Sequence, residues 1–205
     1  MLIKVAKHKA LIFDLGRVLI DFDFARGYQA LSAHSPYPPQ EMRRRLAGSG
    51  LVERYETGLM ESCDFVSQLS TVFDVHVEYG HFCEAWSSIF TEPLIPEDYI
   101  ARLARRYPLL LLSNTNEIHF RMLHERLSVL RHFRHYVLSY EVKSMKPAPE
   151  IYRAAIASAG CLPEECFFTD DIPANVEGAR QCGMDAVQFE SAAQIERELK
   201  ARGIE

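Results

Sequence analysis

A parallel α/β sheet with helices on both faces, interrupted by an all-helical insertion, is the fold class that this 205-residue sequence predicts. Three observations carry it. Ala10–Phe13 is a short apolar run that ends abruptly in Asp14. A run without polar alternation suits a strand buried on both faces. From Phe24 to Phe90 the periodicity is helical, with no convincing strand. Beyond Pro96, short apolar runs alternate with helical segments, which implies right-handed crossovers and a parallel sheet.

Within the insertion, Phe24, Tyr28 and Leu31 recur at helical spacing, and Pro38-Pro39 opens a second helix through Leu46. Gly48-Ser49-Gly50 breaks it. Leu51–Tyr55 and Phe65–Phe73 follow, joined near Gly58, and Glu78–Phe90 closes the block with the only tryptophan, Trp86. Pro93 and Pro96 mark an exit turn. A helix then runs from Glu97 to Arg106, a strand over Leu109–Leu112 and a helix over Glu117–Leu127. Tyr136–Ser139 reads as a strand. Pro149 starts a helix that Gly160 stops. Cys166–Thr169 is a strand, Pro173-Ala174 opens a helix ending near Gly183, Asp185–Phe189 is the last strand, and Ser191 caps the final helix.

Composition bounds the class. A chain of this length buries a sizeable core, and 48% hydrophobic with 25% charged residues is ordinary for a globular protein. The net charge of −5 argues against nucleic acid or an anionic membrane as partner. Cys63, Cys83, Cys161, Cys166 and Cys182 are odd in number and contain no Cys-x-x-Cys pair. Neither a disulfide framework nor a zinc knuckle is indicated. Reduced thiols in the cytoplasm are the expectation. Residues 1–8 are basic in flavour, but no long apolar stretch precedes Asp14, so neither a signal peptide nor a transmembrane segment is expected.

Four polar clusters fall at or just after the carboxyl ends of expected strands: Asp14, Ser113, Lys146 and Asp170-Asp171. In a parallel sheet these ends share one edge, where ligands bind. Each cluster has a bland reading alone, as a helix cap, a loop lysine or a turn. Their joint placement in this order does not. A charge ending a buried strand is costly without a partner, and Gly16 frees the backbone to turn, with positive φ open to it.

With these four clusters the chain resembles the haloacid dehalogenase superfamily, in the branch with a helical cap between the first two core strands. The resemblance spans nearly the whole chain. Phe13-Asp14-Leu15-Gly16 looks like the first motif, Leu112-Ser113-Asn114-Thr115 the second and Lys146-Pro147 the third. Phe168-Thr169-Asp170-Asp171 with Asn175 looks like the fourth. Among the subgroups it is most similar to the sugar-phosphatase-like members that read Asp-Leu-Gly and Ser-Asn-Thr-Asn. The resemblance implies a Rossmann-like core, residues 1–22 and 93–205, with sheet order 5-4-1-2-3, and a cap over 23–92. It implies Mg²⁺-dependent hydrolysis of a small phosphorylated metabolite through an aspartyl-phosphate. Asp14 would be the nucleophile. Asp14, the Gly16 carbonyl and Asp171 would hold the metal, a set of hard oxygens suited to Mg²⁺. Asp170 and Asn175 would orient waters or Lys146. Lys146 would neutralise the phosphate, and Ser113, Asn114 and the amides after them would bind its oxygens.

One position departs from the pattern. Phosphatases of this family commonly carry a second Asp two residues after the nucleophile, as general acid and then base. Here that residue is Gly16. Such help contributes about 10²–10⁴-fold, so substrates with good leaving groups should react best. Asp21 and Asp23 are candidate donors near the cap entrance. Arg17, His119 and Arg43-Arg44-Arg45 read as solvent-facing, and Trp86 as cap packing. The alternatives are a metal-independent dehalogenase using the same Asp14, and a phosphate-binding protein without turnover. Oligomeric state and substrate are not encoded in any readable motif.

Overall fold

The computed structural model describes residues 7–204. The reading of the first residues as a basic segment therefore lies, for 1–6, outside the described residues. Strand β1 (Ala10–Phe13) is followed by β2 (Ile20–Phe22) and by helices α1 (Phe24–Ser32), α2 (Pro39–Ala47), α3 (Leu51–Glu56), α4 (Ser62–Phe73) and α5 (Tyr79–Ser87). Strand β3 (Phe90–Pro93) leads to α6 (Glu97–Ala104), β4 (Leu109–Ser113), α7 (Glu117–Arg126), β5 (His135–Leu138) and a single turn, α8 (Ser139–Val142). The chain ends with α9 (Pro149–Ala159), β6 (Cys166–Asp170), α10 (Pro173–Gln181), β7 (Asp185–Gln188) and α11 (Ala192–Ala201).

The main sheet has the order β5-β4-β1-β6-β7, and β1 pairs in parallel with both β4 and β6. Numbering only these five strands along the chain gives the expected 5-4-1-2-3. The apolar runs explain why β1 is central. Leu11 and Phe13 pack with Leu109, Leu111 and Phe167 on one face. Ala10 and Ile12 pack with Leu110, Leu112 and Phe168 on the other. Successive side chains of a strand point to opposite faces, so a strand covered on both sides must be apolar throughout. No helix among the described residues is long and apolar enough to cross a membrane.

Helices α1–α5 bury a third apolar cluster, which includes Leu31, Met42, Phe65, Phe82 and Trp86 and is joined by Ile118 from α7. The two connections between this block and the sheet are not the simple turns expected from Pro93 and Pro96. Strands β2 and β3 pair antiparallel in a ribbon of their own, Ile20 opposite Pro93 and Phe22 opposite Phe90. The Phe22 ring packs edge-on against Phe24 and Phe90, with centroids 5.0 and 6.4 Å apart. The last expected helix of the block accordingly ends at Ser87 instead of Phe90. Strand β5 likewise stops at Leu138, because Ser139 starts a helical turn.

A second junction lies across the block. Gly58 has φ +64°, and a Cβ there would lie 2.0 Å from the Tyr140 carbonyl oxygen. Lys143 Nζ donates to the Gly58 carbonyl at 2.6 Å. Only glycine lets the end of α3 approach the α8 backbone this closely.

Candidate active site

The carboxyl ends of β1, β4 and β6 converge, and a lysine from the loop after α8 joins them. Lys146 is 4% exposed. Its ammonium donates to Asp14 Oδ1 at 2.7 Å, Asp170 Oδ2 at 2.5 Å and the Leu112 carbonyl at 3.0 Å. All three of its protons therefore have acceptors. Asn114 clamps this loop: its Nδ2 donates to the Lys146 carbonyl and its Oδ1 accepts the Lys146 N–H, at 2.9 and 2.8 Å. The Asn114 side chain thus positions the lysine and does not face a ligand.

Asp170 is fully buried and Asp14 nearly so. Asp170 Oδ1 accepts from the Ile172 N–H, and both of its oxygens accept from Asn175 Nδ2 at 3.0 and 3.1 Å. With Lys146 added, both Asp170 oxygens are engaged. Asp171 is partly exposed, and one carboxylate oxygen each of Asp14, Asp170 and Asp171 lie within 4.8 Å of one another.

Three acids around one ammonium leave an excess of negative charge. Burial pushes Asp14 up to about 7, Lys146 opposes the shift and Asp170 adds to it. Burial also raises Asp171, and Asp170 adds to that. Burial works against the Lys146 charge, but Asp14 and Asp170 outweigh it, and the net direction is upward. Asp14 and Asp171 retain oxygens outside the hydrogen bonds that hold Asp170. Hard oxygens in excess over local positive charge fit a divalent cation such as Mg²⁺.

The turn after Asp14 differs from the expectation for Gly16. The left-handed residue is Arg17, at φ +60°, and Gly16 has no positive φ. Glycine is needed at 16 because a Cβ would lie 2.8 Å from Phe22 Cε1. Arg17 is exposed, as expected, and folds back along β2. It pairs with Asp21 at 2.8 Å, donates to the Phe22 carbonyl at 2.7 Å and stacks over the Phe22 ring. Asp21 is thereby occupied, and Asp23 is the N-cap of α1, accepting from the Ala25 N–H. Neither candidate donor lines the chamber at the strand ends.

A chamber of about 70 Å³ opens at Gly16, Ser113, Asn114 and Thr115, beneath Glu56 and His119. Ser113 is buried there. The Thr115 N–H is not available to a ligand, because it donates to Ser139 Oγ at 3.0 Å. His119 was expected on a helix surface, yet it is 5% exposed. It stacks on Trp86, which packs in the helical block and also lines the larger cavity described next. Asn116 caps α7 by accepting the His119 N–H, and its Nδ2 donates to His119 Nδ1. Nε2 then carries the proton and donates to the Trp86 carbonyl at 3.2 Å. Burial lowers the His119 pKa to about 4, so the ring is neutral. A larger cavity of about 440 Å³, between the helical block and His119 and Met145, shares Phe24, Glu56 and His119 with the chamber, and Tyr28 and Arg43 also line it. Arg44 and Arg45 pair with Glu41 on the outer face of α2.

Sequence reasoning missed Glu56, Asn116 and Phe22. Asn116 carried a cap signal, as an Asn directly before a helical segment. Glu56 carried none, since nothing in Tyr55-Glu56-Thr57-Gly58 tells which way the side chain faces.

Strand order and the Asp–Lys–Asp–Asp cluster define a hydrolase core of the kind the motifs resemble. A family model described as haloacid dehalogenase-like hydrolase matches residues 8–183, and the chain belongs to that family. It is 28% identical over 198 residues to the D-ribitol-5-phosphate phosphatase of Bacteroides thetaiotaomicron, covering 93% of this chain and 96% of that one. It is 27% identical to the phosphorylated carbohydrates phosphatase of Thermotoga maritima, covering 87% and 83%. The structure superposes with a TM-score of 0.80 on a family enzyme from B. thetaiotaomicron in complex with magnesium and inorganic phosphate. The two are 29% identical, and 90% of this chain and 95% of that one are covered.

Proposed function

We propose that this hydrolase is a Mg²⁺-dependent phosphatase of a small phosphorylated carbohydrate, with residues 23–92 serving as a cap over a core of 1–22 and 93–205. The observation that carries it is the Lys146 ammonium fixed between Asp14 and Asp170, with the Asp171 carboxylate beside them. The names of the relatives, two of them phosphatases of phosphorylated carbohydrates, supply the substrate class.

In this reading one Asp14 oxygen attacks phosphorus and the other would face the cation. Lys146 fixes the carboxylate and lowers its repulsion toward an anionic substrate. Asp170, itself held by Asn175, holds the lysine, and Ser113 with the Asn114 N–H receives phosphate oxygens. Asp14, the Gly16 carbonyl and Asp171 would hold the cation. When bound, the cation supplies further charge neutralisation of acids and phosphate. Water then cleaves the aspartyl-phosphate and restores Asp14.

The test is release of inorganic phosphate from a panel of pentitol, pentose and hexose phosphates, with Mg²⁺ and with a chelator. Metal-dependent release that Asp14→Asn abolishes in a folded protein is expected. Chloride release from 2-chloropropionate without metal, and no phosphate release, would overturn the reading in favour of a dehalogenase.

A further inference from the structure

We infer that Glu56, contributed by the helical block, is the proton donor to the departing oxygen and the base for the attacking water. This rests on the phosphatase reading above. The argument is one of position and elimination. The chamber at the strand ends and the larger cavity beside it share three lining residues, Phe24, Glu56 and His119. A phosphate seated over Gly16 and Ser113, with its carbohydrate in the larger cavity, passes its bridging oxygen beside these three residues. Phe24 has no proton to give. His119 is neutral and both of its ring nitrogens are engaged, one by Asn116 and one by the Trp86 carbonyl. Glu56 is the remaining titratable group there.

Its surroundings suit the task. Burial raises the Glu56 carboxyl to about 7, against a hydrogen bond from Asn116 that works to lower it. Near neutrality both the acid and the carboxylate are populated, the condition under which one group serves as donor and then acceptor. The other charged groups lining the larger cavity are Arg43 and Glu53, and Tyr28 and His119 are the remaining titratable ones. Asn116, which acts on the Glu56 carboxyl, is itself held by His119. The core position that is Gly16 cannot supply the proton, and Phe22 covers it.

The steps balance. An Asp14 oxygen bonds to phosphorus as the bridging P–O bond breaks, and the departing oxygen keeps that electron pair and takes the Glu56 proton. The Glu56 carboxylate then removes a proton from water as the water oxygen bonds to phosphorus. The bond from phosphorus to Asp14 breaks, which frees phosphate and leaves Glu56 protonated again. Because Glu56 sits on α3, catalysis requires the helical block to be seated on the sheet.

The experiment compares Glu56→Gln with the parent on phosphate monoesters ranging from p-nitrophenyl phosphate to primary alkyl phosphates, with Mg²⁺. The parent should depend weakly on the leaving group. The variant should lose about 10²–10⁴-fold in kcat/KM on alkyl phosphates, and much less in the first turnover of p-nitrophenyl phosphate. Without its base the phosphoenzyme should persist, giving a burst of one equivalent of p-nitrophenolate. Glu56→Asp, which keeps a carboxyl, should restore part of the alkyl phosphate rate. Uniform losses across leaving groups without a burst, or a raised KM alone, would make Glu56 a binding residue and overturn the inference, as would parent-like rates. Inactivity of the parent itself on every ester would instead overturn the phosphatase reading, and this inference with it.

Discussion

Replacing Glu56 by Gln has a consequence for stability that needs no substrate. The folded protein holds the Glu56 proton up to about 7, whereas the ordinary value is 4.5. Between these values the native state keeps a proton that the unfolded chain has released. Stability from this group is therefore full below pH 4.5 and is lost as pH rises through 7. The gap corresponds to about 3 kcal/mol at about 1.4 kcal/mol per pH unit. Gln is nearly isosteric, offers Asn116 an acceptor and carries no charge to bury. The variant should match the parent near pH 4.5 and exceed it by up to about 3 kcal/mol at pH 8.5, or roughly 6–12 °C in Tm for a chain of this size. Urea denaturation of both proteins across this range, without metal or phosphate, gives the difference directly. Contributions from the other titrating groups cancel between parent and variant. A difference that stays constant with pH, or a variant less stable at pH 8.5, would refute the burial argument.

Further outcomes follow from the acid cluster and the close contacts. Asp171→Ala should lose Mg²⁺ binding in calorimetric titration while folding normally. Asp170→Ala should weaken binding only about 10–100-fold, but it removes one of the three Lys146 acceptors and the acceptor of Asn175 Nδ2 and should cost about 1–3 kcal/mol in denaturant unfolding. Gly58→Ala brings a Cβ into the Tyr140 carbonyl and should lift α3 from α8. Turnover should fall and hydrogen exchange over 51–58 should quicken, with exchange in β1 and β4 unchanged. Gly16→Ala should cost about 1–3 kcal/mol through the Phe22 ring, and Phe22→Leu in the same chain should recover part of it.

The sequence by itself determined the sheet and the positions of its chemistry. An apolar run such as Ala10–Phe13 cannot be solvated on either face, so it becomes a central strand, and Asp14 at its end is fixed at the edge where parallel strands expose their carboxyl termini. The same reasoning put Ser113, Lys146 and Asp170-Asp171 on that edge, because each follows its strand at a short, fixed distance along the chain. What the tertiary structure decided are the contacts between segments far apart in sequence. The β2–β3 ribbon joins strands of three and four residues across the whole helical block, too short to show a period of their own. Gly16 is set by the ring of Phe22 and not by its own φ, and the left-handed turn falls on Arg17. His119 is buried because Trp86 and Phe90 cover it from another element. The direction of Glu56 depends on how α3 docks against α7 and α8. Periodicity records which residues share a face of one helix, whereas the aim of a single carboxylate into a chamber is fixed by packing between helices, which leaves no local trace in the chain.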